Sequence, residues 1–205
     1  MRRRGSMTSA LADIVDRRRA ALVVVDVQND FVESQTSASA AQILPRLKQM
    51  LTAARKVGVK IVYTQAFVSD LTSSDVWQSG LSKRSHGADF CREGSRGSEI
   101  HSEVTPVAGD IVIPKYRYSA FIGTNLEVIL RAHEVKSLIF TGLATNVCVE
   151  SSVRDAYQRD YWTVTVSDCT AASAPELHHA SLRSIERNFG LVATSGEILR
   201  VWERD

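Results

Sequence analysis

A carboxylate, an ammonium and a thiol each stand where an apolar run of this chain ends. Asp26 falls near the end of residues 20–27 (AALVVVDV), and Lys115 follows residues 110–114 (DIVIP). Cys148 comes after the run 138–140 and the glycine-bearing turn 142–147. These three groups make a coherent nucleophilic set. Asp26 accepts the thiol proton, Lys115 holds the carboxylate and favours the thiolate, and Cys148 attacks a carbonyl carbon. Backbone amides of the turn, with Ala144 and Cys148 as the candidates, stabilise the tetrahedral oxyanion. Asp26 then protonates a leaving nitrogen and later activates water, so the reaction class is amide-type C–N hydrolysis through a thioester acyl-enzyme. A carboxylate in so apolar a run is expensive to bury without a cation or donors. A cysteine opening a helix has its thiol pKa drawn from about 8.5 towards neutrality. The competing reading of Cys148 is a small buried hydrophobe.

Bringing the three together requires strand ends that share one edge. Residues 20–27 have the unbroken valine-rich pattern of a strand buried on both faces of a parallel sheet. Residues 59–64, 110–114, 136–141, 162–166 and 191–194 read as further strands. A short amphipathic helix over 7–16 precedes them. Ile43, Leu44, Leu47, Leu51 and Ala54 recur at helical spacing, with Gly58 in the capping position. Thr124 with Glu127, and Ser173 with Glu176, have capping-box spacing ahead of two more helices. The helix opened by Cys148 buries Val149, Val153, Ala156 and Tyr157, the one after Ser173 carries Leu177, Leu182, Ile185 and Phe189, and residues 198–202 make a terminal helical turn. Strand and helix alternate, which predicts an α/β fold with a parallel sheet of about six strands and helices on both faces. Ligands bind such sheets at the C-terminal edge, where strand order reverses. Residues 66–109 show no sustained period beyond a short helix near Ile100, and read as a lid or a subunit contact.

Composition closes off other classes. The chain has 205 residues, 44% hydrophobic and 23% charged, with a net charge of +2, which suits one domain over 7–205 and gives no reason to expect nucleic acid. The basic triplets 2–4 and 17–19 lack aromatic interleaving and read as solvated surface. Residues 1–6 (MRRRGS) read as a disordered or vector-encoded leader, since Met7 could initiate. No apolar run of about 18 residues predicts a membrane span. Cys91, Cys148 and Cys169 have no metal-type spacing, so reduced thiols in the cytoplasm are expected.

Three ordered motifs carry a resemblance. DVQNDF (26–31), KYRYSAF (115–121) and TGLATNVCVES (141–151) resemble the cysteine hydrolases of the isochorismatase-like superfamily over about residues 20–195. The resemblance implies a Rossmann-like, doubly wound sheet, an Asp-Lys-Cys triad at Asp26, Lys115 and Cys148, and a cis peptide placed at Leu143 to Ala144. True isochorismatases lack the cysteine. Nicotinamidases of the family bind a metal through an Asp-x-His pair after the second strand, where this chain reads Gln65, Ala66, Phe67. No metal and no cofactor are expected. What remains is most similar to the ureidoacrylate, biuret and N-carbamoylsarcosine amidohydrolases, acting on a small amide or ureide as a homodimer or homotetramer. A nicotinamidase-type or other small-amide amidase is the alternative within the superfamily. A thiol redox sensor, which would need a resolving partner, and a non-catalytic assembly protein are the alternatives outside it.

Several side chains are candidates for binding substrate. Phe31 and Tyr118 wall a pocket or belong to the core, and Trp77 caps the pocket or packs on the surface. Arg117 binds a substrate carboxylate or makes a structural ion pair. Gln65 and Asn146, like Asn29, donate to substrate or support backbone. His86, His101, His133, His178 and His179 lack ligand spacing and read as surface or packing, and Cys91 and Cys169 read as inert.

Overall fold

The valine run forms the central strand of a six-stranded sheet. The structure, a computed structural model, describes residues 7–33, 40–82 and 89–204; the expectations for residues 1–6 and His86 lie outside them. The strands are β1 (Ala20–Val25), β2 (Lys60–Ala66), β3 (Ile111–Lys115), β4 (Ser137–Leu143), β5 (Trp162–Ala171) and β6 (Leu191–Ala193). Their order is β3-β2-β1-β4-β5-β6 and every pair is parallel. The chain runs outward from β1 through β2 to β3, then returns to the other side of β1 with β4. The reversal of strand order therefore lies between β1 and β4.

Every residue of β1 is buried because both faces are covered. Leu22 and Val24 face a layer made by α1 (Met7–Ile14), α3 (Ala40–Val57) and α8 (Ser195–Trp202). Ala21, Val23 and Val25 face the opposite layer, to which α5 (Leu126–Ala132), α6 (Glu150–Tyr157) and α7 (Pro175–Asn188) contribute. This is the period-two alternation of a strand read on two apolar sides. Two short helices, α2 (Asn29–Glu33) and α4 (Asp75–Ser82), follow β1 and β2, and Val32 of α2 joins the first of these layers.

The elements depart from expectation at informative places. Neither predicted capping box forms: the Thr124 hydroxyl donates to the Ala120 carbonyl, and Asn125 and Ala174 cap α5 and α7 without side-chain bonds. A capping box closes instead at Thr194 and Glu197, and makes α8 a full helix rather than a terminal turn. Strand β5 runs on to Ala171, because Asp168 is satisfied by the Ser195 amide and hydroxyl at 2.7 and 2.8 Å. Tyr157 and Leu177 are exposed rather than buried. Residues 66–109 contain α4 and two 3-10 turns, Arg96–Ser98 and Ser102–Val104.

Gly142 fixes how closely β4 lies against β1. Its φ is +102°, and a Cβ there would stand 2.0 Å from the Val25 carbonyl oxygen and 2.7 Å from the Val25 nitrogen. Both neighbours are backbone and have no room to move. Gly142→Ala is expected to lower stability by about 2–3 kcal/mol, read as an earlier midpoint in urea unfolding. An unchanged midpoint would mean that the two strands tolerate a wider separation.

Candidate active site

Asp26 leaves β1 in a left-handed conformation, with φ of +50°, a region that Asp enters more readily than most residues. The turn directs its carboxylate into the interior, where the side chain is fully buried. Thr64 on β2 donates its hydroxyl to Oδ1 at 2.6 Å. Lys115, at the end of β3 and also fully buried, places Nζ 2.7 Å from Oδ2. Its N–H bonds are aimed at the carbonyls of Arg117 and Tyr118, at 2.8 and 3.1 Å, so Oδ2 has an ionic neighbour but no well-aligned donor.

Beyond β4 the Leu143–Ala144 peptide is cis, and the chain makes a single π-helical turn, Thr145–Val149, before α6. Cys148 is thus inside this turn rather than the first residue of an α-helix. The turn is gripped from three sides. Ser152 donates to the Cys148 carbonyl at 2.7 Å and accepts from the Ala120 amide at 2.9 Å, which couples the Cys148 turn to the segment after Lys115. On α7, Ser181 donates to the Thr145 carbonyl at 3.1 Å, and His178 Nδ1 lies 2.9 Å from the Thr145 hydroxyl. Thr64, Ser152, His178 and Ser181 support the site, and none was singled out for that from sequence. For Ser152 the signal was available: it lies four residues after Cys148, one helical turn on.

The Cys148 thiol is within hydrogen-bonding reach of Asp26 and Lys115. Its pKa is not lowered as the helix argument predicts. Burial pushes it up to about 12, against the pull of the Lys115 ammonium and with a further push from Asp26. Burial therefore favours the neutral thiol over the thiolate. For Lys115 burial works downward, yet Asp26 and Cys148 outweigh it and the pKa is raised.

These shifts give stability a sign in alkali. Burial also raises the thiols of Cys91 and of Cys169, the latter to about 12. Below the ordinary thiol value of 9.0, both folded and unfolded chains hold these protons and the stabilisation is complete. Above it the unfolded chain releases protons that the native state retains, so stability falls as pH rises towards 12. Thermal unfolding under reducing conditions is expected to show a midpoint that drops steadily from about pH 9 upward. A flat midpoint to about pH 10.5 would contradict the burial assigned to these thiols.

Cys148 and Lys115 form the floor of a cavity of about 400 Å³. Phe31, Trp77, Arg117, Tyr118 and Asn146 line it, as do Phe67, Phe90, Cys91, Tyr116 and Leu177, which sequence reasoning did not assign to a pocket. Arg117 makes no ion pair among the described residues; it donates to the carbonyls of Thr72 and Tyr116 and lies 5.0 Å over the Trp77 ring. Gln65 is not part of the lining. Its amide donates to the Ser98 carbonyl at 2.7 Å, which gives it the backbone-supporting role. Gln28 and Asn29 act likewise. Gln28 donates to the Ala66 and Ser98 carbonyls and accepts from the Ala66 amide, and Asn29 donates to the Arg96 carbonyl. Asp30 accepts from the Cys91 amide at 2.6 Å and packs on Gly97, where any Cβ would meet its carboxylate.

The model of the isochorismatase domain matches residues 20–197 of the chain. The chain belongs to the isochorismatase family. It is 34% identical over 195 residues to the ureidoacrylate amidohydrolase RutB of Rhizobium rhizogenes, covering 85% of this chain and 79% of that protein. Among solved structures, a cysteine hydrolase from Pseudomonas syringae superposes with a TM-score of 0.85 at 28% identity, over 93% of this chain and 95% of that one. The N-carbamoylsarcosine amidase of Thermoplasma acidophilum gives 0.74 at 29% identity, over 86% and 96%. The protein is an isochorismatase-family hydrolase with the fold expected of it.

Family membership sharpens the reading of the second strand end. At the place where the resemblance puts a metal-binding pair in nicotinamidases, Gln65 is tied to Ser98 and Phe67 faces the cavity. Among the described residues no group of three His, Cys, Asp or Glu side chains stands close enough together to hold a metal ion. The residues present at that strand end do not fit a metal. Among the same residues, no helix is long and apolar enough to cross a membrane.

Proposed function

We propose that this isochorismatase-family hydrolase is a cysteine amidohydrolase that uses no metal and cleaves a C–N bond of a small amide, ureido or carbamoyl compound. It acts as one domain over residues 7–205, in the cytoplasm, as a homodimer or homotetramer. The observation that carries the reading is the buried cluster of Asp26, Lys115 and Cys148 beneath one cavity.

The geometry suggests an order of events. Cys148 Sγ attacks the substrate carbonyl carbon as its proton passes to Asp26, because the thiol is neutral at rest. Lys115, held by two carbonyls, keeps the carboxylate in place and offsets the growing thiolate charge. The amides of Ala144 and Cys148 receive the oxyanion. Collapse of the adduct breaks the C–N bond, and Asp26 returns the proton to the departing nitrogen. Asp26 then takes a proton from water, the hydroxide attacks the thioester (a thiocarbamate for a ureide), and the proton ends on the departing sulfur. Relatives named for ureidoacrylate and N-carbamoylsarcosine favour a ureido or carbamoyl group. The test is ammonia release from ureidoacrylate, biuret, N-carbamoylsarcosine and nicotinamide, together with mass spectrometry for an acyl adduct on Cys148. Hydrolysis with no such adduct on any slow substrate would overturn the mechanism.

A further inference from the structure

The cavity over Cys148 is far more aromatic than a urea group requires. Six rings line it in three pairs: Trp77 with Tyr118 at 4.6 Å, Phe31 with Phe90 at 4.9 Å, and Phe67 with Tyr116 at 6.2 Å between centroids. Each ring is half-buried, neither sealed in the core nor turned out to water. Apolar walls stabilise a ligand only through apolar surface that the ligand itself brings. Biuret and ureidoacrylate bring little, and a cavity of about 400 Å³ belongs to the class that encloses a larger body.

Among the described residues, charged side chains line this enclosure at two places, beside the neutral polar Asn146, Ser173, Tyr116 and Tyr118. One is the floor, with Lys115 and Cys148. The other is Arg117, whose Nη1 donates to the carbonyls of Thr72 and Tyr116 at 3.2 and 2.6 Å. Its remaining donors have no hydrogen-bond partner among the described residues, and its guanidinium carbon lies 5.0 Å from the centre of the Trp77 ring. A guanidinium fixed on one edge and open on the other matches a carboxylate.

Building on the amidohydrolase reading, we propose that the substrate is an N-carbamoyl acid with a flat apolar body, its ureido carbonyl on Cys148, its ring against Trp77 and Tyr118, and its carboxylate on Arg117. Hydrolysis of such a ureide consumes one water and gives the amine, ammonia and carbon dioxide. The cleaved group is then common to many substrates, and the aromatic wall with Arg117 selects among them.

The test is a matched series: N-carbamoyl derivatives of glycine, alanine, leucine and phenylalanine as racemates, with phenethylurea as the analogue lacking a carboxylate. Ammonia release is expected to rise along the series, with kcat/KM for the phenylalanine compound about tenfold or more above glycine. Phenethylurea is expected to fall about tenfold below its carboxylate counterpart, and Arg117→Gln to erase that gap. Trp77→Ala is expected to narrow the phenylalanine-to-glycine ratio through KM. If glycine, ureidoacrylate or biuret is turned over as fast as the phenylalanine compound, the inference is wrong and the amidohydrolase reading stands. If no compound releases ammonia and none leaves an adduct on Cys148, the amidohydrolase reading itself fails.

Discussion

Cys148→Ala is expected to abolish hydrolysis, with kcat reduced by about 10⁴-fold or more on any amide that the parent turns over. The size of the effect follows from the proposed mechanism: without the sulfur no acyl-enzyme forms, and the water that Asp26 would activate has no electrophile prepared for it. The fold should be little disturbed. The thiol is buried beside an ion pair that remains complete, and its backbone is held by Ser152 through the carbonyl, not the side chain. Circular dichroism and urea midpoint close to the parent, with ammonia release at background, is the expected pair of results. Cys148→Ser tests the neighbourhood more finely. Its hydroxyl is a poorer nucleophile with similar hydrogen-bonding reach, so turnover far below the parent is expected, and turnover close to the parent would not fit a cluster tuned to sulfur. Full turnover by the alanine variant would remove Cys148 from the chemistry.

Lys115→Met should be the most destabilising single change at the site, by about 3–5 kcal/mol. Lysine and methionine have similar length and the position is fully buried, so the loss is one of charge rather than of volume. What remains is a buried Asp26 carboxylate whose polar side-chain partners among the described residues are the Thr64 hydroxyl and the Cys148 thiol. The carbonyls of Arg117 and Tyr118 also lose their donor. Adding Asp26→Asn to Lys115→Met is expected to recover most of the stability, because the amide still accepts from Thr64 and no net charge is left inside. The double variant should stay inactive. That contrast, stability restored without activity, separates a structural loss from a chemical one. If the single variant unfolds at the parent's urea concentration, the buried ion pair is not what holds these strand ends.

The catalytic candidates were legible because a parallel sheet writes its edge into the sequence. Runs such as AALVVV are apolar on both faces, so the first charged residue after each run marks a strand end, as Asp26 and Lys115 do. What escaped was whatever depends on a partner distant in sequence. The spacing of Thr124 with Glu127 satisfies the capping rule, but Thr124 found the Ala120 carbonyl and Glu127 found Arg131 and Arg159. The argument for a low thiol pKa at Cys148 counted the helix and the cation and had no measure of burial, which is the largest influence on it. Helix α4 has few strong helix formers and a glycine inside. It packs through the contact of Trp77 with Tyr118, while the loop before it is tied to Arg117 through the Thr72 carbonyl, and both links become visible only once β3 is in place. Gln65 looked like a polar group offered to a ligand, and its real partner, the Ser98 carbonyl, lies 33 residues away.

The staples of Gln28, Asn29 and Asp30 set a limit on how this enzyme can diversify. The same six residues that carry the proposed base, Asp26 to Phe31, also clamp the far chain at Ala66, Cys91, Arg96 and Ser98. A change of pocket shape made at the clamps would be inherited by the base as a misalignment, and selection would see it as lost turnover. The stretches strung between the clamps carry no such penalty. On the proposed reading Trp77, which packs on Tyr118 and not on this segment, is therefore a position at which a lineage can exchange one substrate for another while the reaction stays the same.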